Sequence, residues 1–322
     1  MKIDSLEGVQ LGGITQWIRV RGTDTSNPVL LLMQQGPGLP IINEAPRFER
    51  LLGLESAFTV VYWDQRGTGL SSRPLGRNKD RFDISVTLMV DDTVRLLELL
   101  RDRFGGKTLV AGFSFGAMFA ACAAVRRPEL VAALVAAGMD IDVPMAEDNA
   151  YAFALDAARQ RGNRRAIRQL EAIGPPPHTT MRQFTTRARW VASYGGLTTS
   201  GSLNGELRAL LVSLARSPDY PAAAVIRTLR GVMASQAALL PQLATTDLVR
   251  TMPRLDVPLV LAQGRLDQVA PGEAAQRFHD SVTAPSKQLV WFESSAHTPH
   301  LDEPAKFRDL LMTVRATQLA GT

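Results

Sequence analysis

Cysteine is nearly absent from these 322 residues: Cys122 is the only one. A lone thiol excludes a disulfide within the chain and a metal site built on several thiolates. It suits a reducing, cytoplasmic setting. Histidine is scarce as well, with four in the whole chain, so chemistry that needs an imidazole has few places to sit. No G-x-G-x-x-G fingerprint, P-loop or cluster of metal-ligand residues occurs, and no nucleotide, metal or other cofactor is expected. There is no internal repeat of fixed period and no low-complexity segment. Met1 to Gly13 lacks the apolar core of a signal peptide.

Apolar residues make up 45% of the chain and charged ones 21%, which excludes disorder as a whole-chain state. The length exceeds one compact core and predicts a main domain with a second, smaller element. The net charge of +5 comes from arginine, which greatly outnumbers lysine. Its densest group, Arg159, Arg161, Arg164, Arg165 and Arg168, falls in one helical stretch without interleaved aromatics and reads as a solvated face rather than a nucleic-acid site. Thr108 to Val125 carries no charge for about 18 residues, the lower limit for a membrane span. Gly112, Ser114 and Gly116 in its middle instead predict a buried strand turning into a buried helix.

Strands are predicted at Ile14 to Arg21, Val29 to Met33 and Phe58 to Trp63, the last two as continuous apolar runs covered on both faces. A helix from Ile84 to Arg103 leads into a strand at Thr108 to Gly112, a helix at Gly116 to Val125 and a strand at Val131 to Gly138. This alternation predicts an α/β, doubly wound, mostly parallel sheet with helices on both faces. Residues 141–245 change character, becoming rich in Ala and Arg and broken by Gly174-Pro175-Pro176-Pro177 and Gly195-Gly196. They read as a helical cap inserted into a core domain of residues 1–140 and 246–322. The alternation then resumes with a strand at Val257 to Gln263, a helix at Gly272 to His279, a strand at Gln288 to Phe292 and a helix at Glu303 to Gln318.

Gly112-Phe113-Ser114-Phe115-Gly116 matches G-x-S-x-G and sits on the predicted strand-to-helix turn. A serine there is held strained and exposed at the sheet's carboxyl edge, and small flanking residues allow close approach. A serine hydroxyl needs a base, and the base needs an orienting acid. With such an elbow the acid and then the histidine follow the serine along the chain. His178 falls in the insertion and His279 near a helix end, which leaves His297 and His300 after the last strand. His297 is favoured because Ser294-Ser295-Ala296 keeps its loop small, while His300 is expected to cap the final helix or to pack at the site's edge. Asp267, after the strand ending at Gln263, is the expected acid; Asp140, after the Val131 to Gly138 strand, competes for that role. An aspartate nucleophile in place of serine is disfavoured by Ser114 itself.

Gln34-Gln35-Gly36-Pro37-Gly38, Asp64-Gln65-Arg66-Gly67-Thr68-Gly69-Leu70-Ser71, the Gly264 to Asp267 loop and Ala296-His297 through Glu303-Pro304 resemble the proline iminopeptidase branch of the α/β-hydrolases. The resemblance spans both sheet halves and hardly touches the insertion. It implies the α/β-hydrolase fold, with Ser114, Asp267 and His297 as nucleophile, acid and base. It also implies an oxyanion hole from the backbone N–H of Gly36 and Phe115, and scaffold roles for Asp64 and Arg66. Gln34 and Gln35 depart from the family's His-Gly, and a side chain at Gln35 predicts a loop of different shape. Phe115 replaces a tryptophan. Gln35 and Phe113 are candidate pocket-wall residues. In the insertion, where the family holds a substrate amine with acids, Glu147, Asp148, Glu171 and Glu206 are present without an aligning motif.

The expected activity is that of a serine hydrolase cleaving a small ester, lactone, amide or N-terminal prolyl peptide bond through an acyl-enzyme on Ser114. Acyl transfer, thioester release or cyclisation on the same triad is one alternative. A non-catalytic binding protein on a hydrolase scaffold is another. The implied partner is a small-molecule or short-peptide substrate, with neither nucleic acid nor membrane.

Overall fold

The computed structural model describes residues 1–72, 83–199 and 203–319. Its eight strands are β1 (Ile3–Leu11), β2 (Ile14–Gly22), β3 (Val29–Met33), β4 (Thr59–Asp64), β5 (Thr108–Phe113), β6 (Val131–Ala137), β7 (Leu259–Gly264) and β8 (Lys287–Phe292). They form one sheet in the order β1-β2-β4-β3-β5-β6-β7-β8. β1 pairs with β2 and β2 with β4 antiparallel, and every other neighbouring pair is parallel. This is the mostly parallel sheet that the strand and helix alternation predicts.

Between the strands lie α1 (Ala45–Leu52), α2 (Val86–Phe104), α3 (Phe115–Arg126), α4 (Val143–Gln160), α5 (Arg164–Ile173), α6 (Met181–Ser193), α7 (Leu203–Arg216), α8 (Ala222–Leu243), α9 (Leu248–Thr251), α10 (Gly272–Ser281), α11 (Pro299–Asp302) and α12 (Pro304–Leu319). No helix among the described residues is long and apolar enough to cross a membrane.

Side chains alternate across a strand, so a strand covered on both faces feeds two cores. Leu31 and Met33 of β3 pack with Leu96 of α2, Phe119 of α3 and Phe278 of α10. Leu30 and Leu32 join Phe48 of α1 and Phe307 of α12 on the opposite face. The continuous apolar runs therefore follow from double coverage.

Two elements escape the sequence reading. β1 pairs with β2 along its whole length, from Ile3 opposite Gly22 to Leu11 opposite Ile14, yet charged and polar residues break its apolar pattern because it lies at the sheet's edge. α1 is eight residues long, begins with Ala45-Pro46 and ends at Gly53 in the left-handed conformation, φ 57°.

From α4 to α9 the chain is helical between β6 and β7, with no strand among the described residues there. α4, α5 and α6 share a small core of their own, built from Ala154, Ala158, Ala166, Leu170 and Val191. α8 instead lies on the loops at the carboxyl end of the sheet. A Cβ on Gly38 would stand 2.9 Å from Ser235 Cβ, and one on Gly231 would stand 2.5 Å from the Gly67 carbonyl.

Candidate active site

β5 runs into α3 with a single residue, Ser114, between them. Its backbone, φ 52° and ψ −127°, is the only positive φ outside glycine among the described residues. Such a conformation costs on the order of 1–3 kcal/mol and persists only where the surroundings enforce it. Ser114 N–H donates to Ala137 O at 2.9 Å, and Ala117 N–H donates to Ser114 O at 2.9 Å, pinning the turn from both sides. The flanking glycines are required by space. A Cβ on Gly112 would stand 2.4 Å from Ala117 Cα, and one on Gly116 only 2.2 Å from the Gln34 carbonyl oxygen.

That second contact sets the Gln34 to Gly38 loop against the first turn of α3, beside the serine. The unusual backbone of the loop falls on Gly36, φ 150°, and Gly38, φ 92°, while Gln35 takes no positive φ. The added side chain at Gln35 thus imposes no left-handed strain, and Gln35 is half-buried. Gln34 is buried and donates from Nε2 to Gln65 Oε1 at 2.6 Å, tying the loop to the segment after β4.

Asp64 and Arg66 lie where scaffold roles require. Asp64, fully buried, accepts from the N–H groups of Ile41, Ile42 and Leu70 and from the Tyr220 hydroxyl. Burial raises its pKa, against the pull of those donors. Arg66 meets Asp92 at 2.7 Å, both side chains buried, and donates to Gly12 O at 2.8 Å.

Asp267 and His297 come together from the loops after β7 and β8. His297 Nδ1 and Asp267 Oδ2 are 2.9 Å apart, and Asp267 Oδ1 accepts from Val269 N–H and Ala270 N–H, each at 2.8 Å. The carboxylate is thereby fixed at both oxygens, which orients the imidazole with Nε2 left for other work. Burial opposes charge on His297, but Asp267 and Asp140 outweigh it and raise the imidazole above its ordinary value.

Asp140 does not touch His297 as an orienting acid would. It is 4% exposed and its Oδ2 accepts from Ser114 Oγ at 2.7 Å. Burial pushes its pKa up to about 6, with His297 and the serine hydroxyl pulling the other way and Asp267 adding to the rise.

The remaining expected residues sort themselves by packing. His300 does not cap the final helix: it lies in α11 with its ring 4.0 Å from that of Phe113 and 5.9 Å from that of Phe307. Burial, with Arg47 and His297 adding to it, drives its pKa down to about 3, so it behaves as a neutral core aromatic. The Phe113 ring, considered for the pocket wall, is buried in that same cluster with Phe48. His279 sits beside Asp280 at 3.2 Å. Glu147 is buried and paired with Arg187 at 2.7 Å, and Arg187 also reaches His178 Nδ1 at 3.0 Å. Asp148 is exposed, Glu171 is exposed 3.7 Å from Arg159, and the side chain of Glu206 lies outside the described residues.

One positioning device was not anticipated. The Gly195 to Leu197 segment after α6 straps both loops of the acid and histidine: Gln268 N–H donates to Gly196 O at 3.1 Å and His297 N–H to Leu197 O at 3.0 Å. A Cβ on Gly196 would stand 2.7 Å from Gln268 Cβ, so a glycine is needed there. The glycine pair was visible in the sequence as an interruption, but what it approaches depends on tertiary contact. Among the described residues no group of three or more His, Cys, Asp or Glu side chains is arranged to hold a metal ion.

Comparison with known proteins identifies the family and the fold. The family model described as "Serine aminopeptidase, S33" matches residues 54–304. The chain is 27% identical over 308 residues to the probable aminopeptidase YbaC of Bacillus subtilis (strain 168), covering 95% of this chain and 94% of that protein. Among solved structures, the proline iminopeptidase of Mycobacterium smegmatis superposes with a TM-score of 0.68 at 18% identity, covering 99% of this chain and 100% of that one. A thermophilic esterase from Thermogutta terrifontis superposes with a TM-score of 0.59 at 19% identity, covering 99% of both. At these identities the two superpositions express a shared α/β-hydrolase fold.

Proposed function

The chain belongs to the serine aminopeptidase S33 family of α/β-hydrolases, and from that premise we propose that Ser114, His297 and Asp267 form the triad of a serine hydrolase acting through an acyl-enzyme. The observations that carry the reading are an enforced φ of 52° at Ser114, on a strand-to-helix turn, and a buried His297 and Asp267 pair at 2.9 Å. His297 Nε2 takes the proton of the Ser114 hydroxyl as Oγ bonds to the substrate carbonyl carbon. The oxyanion that forms meets the N–H groups of Gly36 and Phe115. Collapse breaks the bond to the leaving group, which departs with the proton from His297. Water, deprotonated by the same imidazole, then attacks the acyl-serine and releases the acid. Residues 141–245 serve as a cap over this centre, with α8 above the Gly36 loop. A reducing, cytoplasmic setting suits the single thiol.

The substrate is a small ester, lactone or amide, and Asp140 favours one class among these. A carboxylate beside Ser114 Oγ lies where a free α-amine, one carbon from the scissile carbonyl, can donate to it. Glu147, by contrast, already has Arg187. We therefore assign N-terminal aminoacyl or prolyl amides as the preferred substrates, in keeping with the family's description. The test compares prolyl and alanyl amides with their N-acetylated counterparts. Faster release from the free amines, lost in Asp140→Asn, supports the assignment. Equal rates on both overturn it. A transferred or ring-closed acyl product in place of the free acid indicates acyl transfer on the same triad.

A further inference from the structure

α5 and α6 face each other across an open-sided cleft of about 400 Å³. Its polar lining is Arg165, Arg168 and Gln169 from α5 and Arg182, Thr186 and Arg189 from α6. The spacing explains the convergence: residues three, four and seven apart share one face of a helix, and both sets follow that rule. The run from Arg159 to Arg168 is exposed at all five arginines, as a solvated face requires, but it is split between the end of α4 and the start of α5 rather than carried on one helix. Arg159 turns to Asp156 and Glu171, at 3.9 and 3.7 Å, and Arg161 lies over the Tyr194 ring at 4.5 Å. Arg165 and Arg168 instead meet two arginines from a different part of the sequence.

Among the described residues, none of the four cleft arginines has a carboxylate partner, and no acid lines the cleft. Gln169 reinforces the pattern, because its Oε1 already accepts from Trp190 Nε1 at 3.1 Å, which leaves its NH2 to donate. The Thr186 hydroxyl can donate as well. The four arginines are exposed at the sides of the cleft and gather positive charge there, which a ligand with several negative oxygens balances. Each guanidinium presents a planar fork that matches phosphate oxygens two at a time.

We propose that this cleft is a binding site for a small soluble oligophosphate, of the size of a di- or triphosphate group, separate from the Ser114 centre. The volume admits a compact polyanion, and the donors surround it from two helices. The site does not depend on the triad, so its test needs no turnover.

Isothermal titration of the full chain with sodium tripolyphosphate, at low and then high sodium chloride, reads it directly. The expected result is saturable one-to-one binding that weakens with salt. Arg168→Ala and Arg182→Ala should each weaken it about tenfold, the scale of one lost charge-assisted hydrogen bond. Arg168→Lys keeps the charge but loses the fork and should fall between wild type and alanine. Arg159→Ala, outside the cleft, should bind as wild type does, and unchanged melting temperatures show that the variants fold. No saturable binding overturns the proposal. So do equal losses from Arg159→Ala and Arg168→Ala, which would mean diffuse attraction to a basic surface. Binding to phosphatidylglycerol vesicles without binding to tripolyphosphate overturns it in favour of a membrane surface.

Discussion

The Ser114 hydroxyl donates to Asp140 Oδ2 at 2.7 Å, while His297 is held by Asp267 at 2.9 Å. The two carboxylates of the centre thus face different partners, one on the proposed nucleophile and one on the proposed base. Each assignment makes a separate demand on experiment.

Removing the two charges should have unequal effects on an ester that carries no amine. Asp267→Asn upsets the tautomer and orientation of His297 and should lower kcat by about 10⁴-fold, the scale of an asparagine in the acid position of a triad. Asp140→Asn should keep kcat within about tenfold, because it weakens a resting bond to Ser114 and leaves the His297 and Asp267 pair in place. It should also move the acid limb of the pH–rate profile downward, since Asp140 helps to raise the His297 pKa. Steady-state kinetics from pH 5 to 9, a range of about four units that brackets an ordinary histidine, decides this. An Asp140→Asn loss as deep as that of Asp267→Asn would exchange their roles.

Stability should respond to Asp140 in the opposite direction from a salt-bridged acid. Burial lifts its pKa to about 6 in the folded chain, above the ordinary aspartate value of 3.8. The group therefore favours the folded state below the lower value, and that contribution is lost as pH rises through the upper one. Ionising it at neutral pH costs at most about 3 kcal/mol, from roughly two units at 1.36 kcal/mol each. Asp140→Asn should melt a few degrees above wild type at pH 8 and level with it at pH 4. An equal gain at both pH values would mean that ionisation is not the cause.

Gly116→Ala tests the contact between the elbow and the Gln34 to Gly38 loop. The new methyl group would lie 2.2 Å from the Gln34 carbonyl, and neither backbone can yield cheaply. We expect a loss of about 1–3 kcal/mol in stability, typical of overpacking, and a fall in kcat as the Gly36 N–H is displaced. Urea unfolding alongside steady-state rates separates the two effects. Unchanged kcat in a destabilised variant would remove Gly36 from the oxyanion hole.

The sequence revealed most of the sheet because buried strands write themselves as apolar runs: Val29–Met33 is fully buried along its length. β1 was missed because an edge strand carries Glu7 and Gln10 in its pattern. The strand-to-helix turn at Ser114 was legible from two glycines whose necessity is local, since each lies against the turn or the loop beside it. Choosing between Asp267 and Asp140 was open in the sequence because both follow sheet strands, and only their tertiary partners tell them apart. Which of two roles His300 takes was open for a related reason. Its burial among Phe48, Phe113 and Phe307 is a property of packing across three distant segments. The arginine cleft was illegible from one helix alone, because its second wall comes from Arg182 and Arg189.

The central claim is that Ser114 is an activated nucleophile, and a fluorophosphonate probe reads that state without knowledge of the substrate. Incubated with the purified chain and mapped by mass spectrometry, the probe should form one adduct, on Ser114, and the adduct should be lost in a folded His297→Ala variant. Absence of labelling in the folded wild type, or labelling that survives His297→Ala undiminished, would contradict the account and return the scaffold to the role of a binding protein.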